Sequence, residues 1–247
     1  MFFYDIYTVF WRDWLVLRRR MTKFILSRMV TPVLYLVAFG WGLGRGIQMN
    51  GGSYLDFIVP GIMALNAMNI SFNSVASPLN MMRLYHKSFE EYLVAPVSPA
   101  AFVIGKILAG TLRGLLSCAV IFLLAYFFGA TLTIHVGFLL VLSLVCTLFA
   151  AMGVVAAMVI DSHEDMGNFS TYFLLPMSFL CATFFAVDNL PAGLRWVIEV
   201  LPLTHATYAL RVLGAGGDIP WLPVAILGAY TVILTGIGIG TLVHIRD

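Results

Sequence analysis

The chain has 247 residues, of which 61% are hydrophobic and only 11% are charged, and its formal net charge is +2. A soluble domain carries about 25% charged residues, so this composition excludes an ordinary soluble protein, and so small a net charge gives no support for nucleic-acid binding. A membrane-spanning helix needs about 20 apolar residues, so the length allows roughly six spans with short connections.

Residues 1–22 are predicted to form an amphipathic helix in the membrane interface. Apolar residues recur at spacings of three and four from Phe3 to Met21, whereas Asp5, Thr8 and Arg12 fall on the other side. This pattern is typical of a helix lying in the plane of the interface. The alternative, that the first span begins here, would place several charges in lipid at high cost.

Six apolar stretches are long enough to cross a bilayer. Polar connections separate them, and three cysteines fall inside the apolar runs, where small buried side chains are expected. The predicted spans cover residues of about 23–44, 56–81, 104–128, 137–160, 169–187 and 221–243.

The second span carries polar side chains at spacings of three and four, which places them on one helix face. Lipid would penalise such a face, so it is expected to contact protein or water. A stripe of interhelical hydrogen bonds and the lining of a transport pathway explain it equally well. The residues are Asn66, Asn69, Asn73, Ser77 and Asn80.

Two basic residues lie in the first part of the third span. Lys106 is near enough to its start to extend toward the membrane interface. Arg113 lies deeper and needs a protein partner or a water-filled vestibule.

Three polar stretches interrupt the apolar ones. Residues 83–99, here called the 83–99 segment, carry charges and an amphipathic pattern that suits either a short helix docking onto a soluble partner or a solvated loop. Residues 161–165, DSHED, are more typical of a solvated turn than of a metal site. Residues 188–220 contain two short amphipathic pieces, 191–201 and 203–213, and are predicted to form a hairpin dipping into the outer leaflet.

The distribution of basic residues predicts the orientation. Of the 14 lysines and arginines, eleven lie on one predicted side and three on the other. Because the side rich in lysine and arginine is cytoplasmic, both termini, the 83–99 segment and the 161–165 turn are expected in the cytoplasm.

Sequence motifs of catalysis are missing. The chain has no GxxxxGK[ST] phosphate-binding loop, no HExxH motif and no evident serine–histidine–aspartate set. We therefore expect no catalytic residues and no metal, and the function classes that remain are transport and a scaffold role.

Four segments together resemble the ABC-2-type permease family, the membrane subunits of ABC exporters, and within it the bacterial branch that includes nodulation-factor and drug-resistance exporters. They are FIVPG at 57–61, EEYLVAPVSP at 90–99 with Gly105-Lys106 and Arg113-Gly114, DSHED at 161–165, and LPLTHATYALR at 201–211. Each segment alone is weak, but all four in this order on a six-span plan are specific.

The resemblance implies an all-α integral membrane fold with six transmembrane helices, an N-terminal amphipathic connecting helix, a cytoplasmic coupling helix and an extracellular re-entrant hairpin. It implies two copies in the bacterial cytoplasmic (inner) membrane, each docked to a separate ATP-binding subunit that holds ATP and Mg. The chain itself would be a transport subunit and not an enzyme, exporting an amphipathic, glycan or lipid-linked substrate or a drug.

Site residues follow from the same resemblance. ATPase coupling would involve Phe89, Glu90, Glu91, Tyr92 and Leu93, and the pathway would be lined by Asn66, Asn69, Asn73 and Ser77. The alternative from another class is a non-transporting scaffold or biogenesis subunit, or a lipid-modifying membrane enzyme.

The predicted orientation can be tested by cysteine labelling of intact cells. Phe3→Cys and Asp247→Cys should stay unreactive toward an impermeant thiol reagent until the cells are permeabilised. Asp218→Cys, on the predicted outer side, is the matched control and should react at once. Labelling of position 3 or 247 in intact cells would overturn the topology.

Overall fold

The computed structural model describes residues 2–38, 54–85, 89, 92, 95–181 and 192–246. Throughout these residues the chain is helical and has no strand, which confirms the expected all-α class. The helices in chain order are α1 (Phe2–Arg19), α2 (Met21–Tyr35), α3 (Tyr54–Leu84), α4 (Pro99–Phe127), α5 (Val136–Val159), α6 (His163–Phe169), a π-helical turn (Ser170–Leu174), α7 (Leu175–Leu180), α8 (Ala192–Val200), α9 (Pro202–Gly214) and α10 (Trp221–Arg246).

Five stretches in the described residues are long and apolar enough to cross a membrane. Their bounds agree with the predicted spans to within a few residues at most ends, although α4 begins five residues before the predicted 104, and residues 39–44 of the first predicted span lie outside the described residues. The stretches are Met21–Ala38, Tyr54–Leu84, Pro99–Phe127, Val136–Val159 and Trp221–Ile245.

The span predicted at 169–187 is irregular in its described part. A π-helical turn separates α6 from α7, and residues 182–187 lie outside the described residues. Pro176 has no N–H, so the carbonyl of Tyr172 loses its usual donor four residues ahead. A wider turn just before the proline is one way to accommodate this loss. A sixth span therefore stays a prediction.

Helix α3 is the centre of the fold and packs against α4, α5 and α9. Buried residues lie on all sides of the α3 axis. A helix surrounded by other parts of the protein is expected to be apolar on most of its faces, as α3 is. Glycines on the neighbouring helices allow close approach: a methyl group added at Gly153 on α5 would lie 2.8 Å from the carbonyl oxygen of Phe72. Gly110 and Gly114, four residues apart on α4, face Val75 and Ser71 as closely, the spacing of small residues that brings membrane helices together.

The two short pieces predicted around Pro202 are present as α8 and α9. Pro202 is the first residue of α9, where a backbone N–H would have no partner within the helix, so its lack of an N–H costs nothing. Helix α9 packs on α3, and the Arg211 guanidinium lies 3.7 Å from the ring centre of Phe57 and donates a hydrogen bond of 3.1 Å to the Phe57 carbonyl. Insertion of this pair into the outer leaflet stays a prediction, and residues 188–191 lie outside the described part of the chain.

The close contact at Gly153 predicts a stability effect. Gly153→Ala should lower the thermal unfolding midpoint of the purified protein, because the added methyl meets backbone atoms that cannot rotate away. Overpacking of this kind costs about 1–3 kcal/mol. Gly236→Ala on α10 is the matched control, since a methyl there meets no atom within 4 Å. Equal midpoints for the two variants would contradict the packing described.

Candidate functional site

Charged side chains gather at the end of the helical bundle where α3 and α5 finish and α4 begins. We call this region the charged end; it comprises Asp13, Arg83, Lys106 and Asp161, and Arg113 lies deeper, near the middle of α4. Its members come from α1, α3, α4 and the turn after α5, so it joins segments far apart in the sequence. The 83–99 segment starts within it.

Helix α1 packs on the first half of α4 and is held there by an ion pair. Val9 packs against Gly105, where an added methyl would clash with its side chain at 2.8 Å. One turn further along α1, the Asp13 carboxylate accepts two hydrogen bonds from the Lys106 ammonium at 2.9 and 3.0 Å. The two side chains are only 18% and 11% exposed. Helix α1 thus covers Lys106 and supplies its counter-charge, and the position of Lys106 relative to the membrane interface stays a prediction.

Arg113 lies two turns beyond Lys106 and donates to main-chain carbonyls of two helices. Its guanidinium bonds to the Ser74 carbonyl of α3 at 2.8 Å and to the Asp13 carbonyl at 3.4 Å. The Ser74 carbonyl would normally accept from the residue four ahead, which is Pro78 and has no N–H. Arg113 thus replaces the missing helical donor. The expected partner of this deep charge is protein.

Arg83 caps the carboxyl end of α5. Its guanidinium donates to the Ile160 carbonyl at 2.7 Å and also to the Met158 carbonyl, and it pairs with the Asp161 carboxylate at 2.7 Å. Asn80 donates to the same Ile160 carbonyl at 2.8 Å. Asp161 is 88% exposed, so its charge pair alone contributes little, and the bonds to the unpaired terminal carbonyls are the stronger part of the contact.

The 161–165 turn has a structural role at the start of α6. The Ser162 hydroxyl accepts a hydrogen bond of 2.9 Å from the Asp165 N–H and caps this helix, while Asp161 contacts Arg83. Within the described ranges, no group of three or more histidine, cysteine, aspartate or glutamate side chains is placed to hold a metal ion.

Two of the three described aromatic residues of the 83–99 segment, Phe89 and Tyr92, contact the bundle, whereas Tyr85 is exposed. Phe89 is 4% exposed and meets the ring of Phe102 edge-on at 6.1 Å, and Tyr92 meets the same ring at 4.8 Å. Arg12 of α1 lies 5.1 Å from the Tyr92 ring centre and donates a hydrogen bond to its hydroxyl. Phe89 and Tyr92 therefore attach the 83–99 segment to α4 and α1. Glu90, Glu91 and Leu93 lie outside the described residues.

The polar residues of α3 divide into two groups. Asn66 donates to the Ser117 hydroxyl of α4 at 2.8 Å, and Asn80 bonds beyond α5 as described, so these two make interhelical contacts. Asn69 and Asn73 donate to carbonyls of α3 itself, at 3.1 and 2.8 Å, and Ser77 is half-buried. A cavity of about 180 Å³ separates part of this face from α2, and Asn66 and Asn69 line it whereas Asn73 and Ser77 do not.

Sequence reasoning missed three of these contacts. From the sequence, Asp13 was considered only as a charge that would be unfavourable in lipid. Pro78 gave no indication of a contact with Arg113. Arg83 was considered only as one of the basic residues that set the orientation. The proline spacing was a usable signal, because a proline inside an apolar helix always frees the carbonyl four residues before it.

Comparison with known proteins supports the resemblance found in the sequence. The family model of the ABC-2 type transporter matches residues 4–213. The chain is 28% identical over 195 residues to the inner membrane transport permease YadH of Escherichia coli K12, covering 77% of this chain and 75% of that protein. It is 26% identical over 211 residues to nodulation protein J of Rhizobium meliloti, covering 84% and 80% of the two chains, and 24% identical over 233 residues to nodulation protein J of Bradyrhizobium diazoefficiens, covering 92% and 88%.

The buried pair between α1 and α4 predicts strong coupling between two substitutions. Asp13→Asn or Lys106→Met alone leaves an uncompensated charge or polar group and should cost about 3–5 kcal/mol in stability. The double variant should recover part of this loss, because no unpaired charge remains. Unfolding midpoints of the four proteins provide the measurement.

Asp5→Asn is the control, since it makes the same change on the same helix away from the ion pair. Additive effects of the two substitutions, within about 0.5 kcal/mol, would show that Asp13 and Lys106 do not interact.

Proposed function

The chain belongs to the ABC-2 type transporter family and is a membrane transport permease, and we propose that it is the membrane subunit of an ATP-driven exporter. The observation that carries the proposal is the attachment of the 83–99 segment to the bundle. Arg83 bonds its start to the end of α5, Phe89 and Tyr92 pack on Phe102 of α4, and Tyr92 bonds Arg12 of α1. A force applied to this segment therefore reaches three helices.

The energy would come from a partner. The sequence has no phosphate-binding loop of the GxxxxGK[ST] type, so a separate ATP-binding subunit would hold ATP and Mg²⁺ and dock on the 83–99 segment. Because the Phe89 and Tyr92 rings contact the bundle, the docking contact would use the rest of the segment, and we propose Glu90, Glu91 and Leu93 as its residues. Aromatic anchors and charges within one short segment suit an element that contacts both the bundle and a partner protein.

Two copies of the chain would form the pathway in the bacterial inner membrane, with both termini in the cytoplasm. Asn66, Asn69, Asn73 and Ser77 would line it or lie beside it. Asn69 and Asn73 support this role, because their amide N–H groups bond within α3 and their amide oxygens can accept from another partner. The substrate would be amphipathic, such as a glycan- or lipid-linked molecule or a drug, and it would move outward.

The docking proposal predicts that reversing two charges releases the ATP-binding subunit. Glu90→Lys together with Glu91→Lys should reduce its recovery in a pull-down by roughly thirtyfold or more, since loss of an interfacial charge pair costs about 2–5 kcal/mol. The permease variant itself should keep its size-exclusion profile. The matched control is Asp218→Lys, a carboxylate on the predicted opposite side of the membrane.

Phe89→Ala provides the complementary test of which residues of the segment dock. As an internal anchor, its truncation should lower the unfolding midpoint of the permease alone, whereas the double glutamate variant should not. Normal recovery of the ATP-binding subunit with the glutamate variant would mean that Glu90 and Glu91 take no part in docking, and failure of any version to recover such a subunit would favour the scaffold role.

A further inference from the structure

The cavity between α2 and α3 contains a charge whose partner is missing from the described part of the chain. Its α2 wall includes Arg28, and its α3 wall includes Asn66 and Asn69. The Arg28 side chain is exposed and lies 5.8 Å from the ring centre of Phe24, its one described contact. Among the described residues, no carboxylate lies within 4.0 Å of it. An ionisable residue inside a candidate span marks a functional site by default.

The depth of Arg28 in the membrane follows from its position in the helix. It comes seven residues after Met21, where α2 begins, which corresponds to about 10 Å along the helix axis. From there the long arginine side chain can extend toward the headgroups at the start of α2. The anion present there in quantity is the phosphate of a membrane lipid.

The other walls of the cavity are polar enough to require a headgroup. Asn66 and Asn69 use their amide N–H groups within the protein and leave their carbonyl oxygens as acceptors. Pro32 lacks an N–H, so the Arg28 carbonyl also loses its usual helical donor. An acyl tail would leave these groups unpaired in lipid, at a cost of several kcal/mol for each, whereas a hydroxyl-bearing headgroup can donate to them.

The size and the apolar rim fit the same occupant. The volume of about 180 Å³ is many times the roughly 10–15 Å³ needed for one water. Ile62, Leu65 and Ile70 complete the wall on α3 and provide an apolar surface beside the polar groups. Basic pockets between membrane helices are a known setting for anionic lipid headgroups.

We propose that the cavity between α2 and α3 binds the headgroup of an anionic phospholipid, with Arg28 paired to its phosphate. The site shares Asn66 and Asn69 with the proposed pathway face, but its occupant is a membrane lipid and not the exported substrate, so the proposal stands whether or not the chain works as an exporter.

The test measures lipid binding to the purified full chain by native mass spectrometry. The protein is titrated with phosphatidylglycerol and with phosphatidylcholine of identical acyl chains. The wild type should bind the first phosphatidylglycerol about tenfold more tightly, because this lipid has a net negative charge and hydroxyl donors, whereas the choline cation of phosphatidylcholine offsets its phosphate and donates no hydrogen bond. Arg28→Gln should bring the ratio close to one, and Arg28→Lys should retain part of it.

Lys23→Gln is the matched control, because it removes a charge from the same helix outside the cavity. Thr31→Trp is a second variant that keeps Arg28 but fills the cavity from its exposed wall, and it should lose the preference as well. Should Arg28→Gln fail to fold, Thr31→Trp decides the question. A wild type without preference, or a preference that survives both Arg28→Gln and Thr31→Trp, would overturn the proposal and leave Arg28 extending to the interface.

Discussion

The hydrogen bond from Arg113 to the Ser74 carbonyl is the contact on which the packing of the first half of the chain depends. It exists because Pro78 removes a donor from α3 in a region where water is scarce and every main-chain group needs a protein partner. The same guanidinium reaches the Asp13 carbonyl, so one side chain connects α4 with both α3 and α1. Its neighbour Lys106 then requires Asp13, and this requirement places α1 on the bundle.

The charged end contains contacts of unequal strength. The buried Asp13–Lys106 pair is costly to break from one side only, while the exposed carboxylate of Asp161 adds little to the contact with Arg83. The bonds from Arg83 to terminal carbonyls of α5 are shielded and direct. This combination connects α1 with α4 and α3 with the end of α5.

The long apolar helices could be predicted from local sequence patterns, because an apolar stretch of sufficient length has few alternatives to a helix. Residues 137–160, predicted as a span, form a helix at Val136–Val159. Local patterns did not reveal which way an amphipathic face points. The 83–99 segment shows the problem, since the same aromatic spacing suits docking onto a partner or onto the chain's own α4, and the rings of Phe89 and Tyr92 meet Phe102. The ion pair of Lys106 with Asp13 was missed for a similar reason, because the two residues lie 93 positions apart and no local pattern reports their contact. Which residues line the pathway depends on how a second copy of the chain packs, so the assignment of Asn66, Asn69, Asn73 and Ser77 stays a prediction.

The length of α3 has a mechanical consequence. Its 31 residues extend about 46 Å at 1.5 Å per residue, which exceeds the hydrocarbon thickness of about 30 Å by roughly half. A helix of this length crossing a bilayer would tilt or project beyond the lipid. It carries Arg83 near one end and the Asp56 carboxylate near the other, where it accepts hydrogen bonds from Thr131 at 2.6 and 2.8 Å. A change of tilt imposed at the Arg83 end would also move the Asp56 end on the opposite side of the membrane, because the close glycine contacts with α4 and α5 hold the middle of the helix in place.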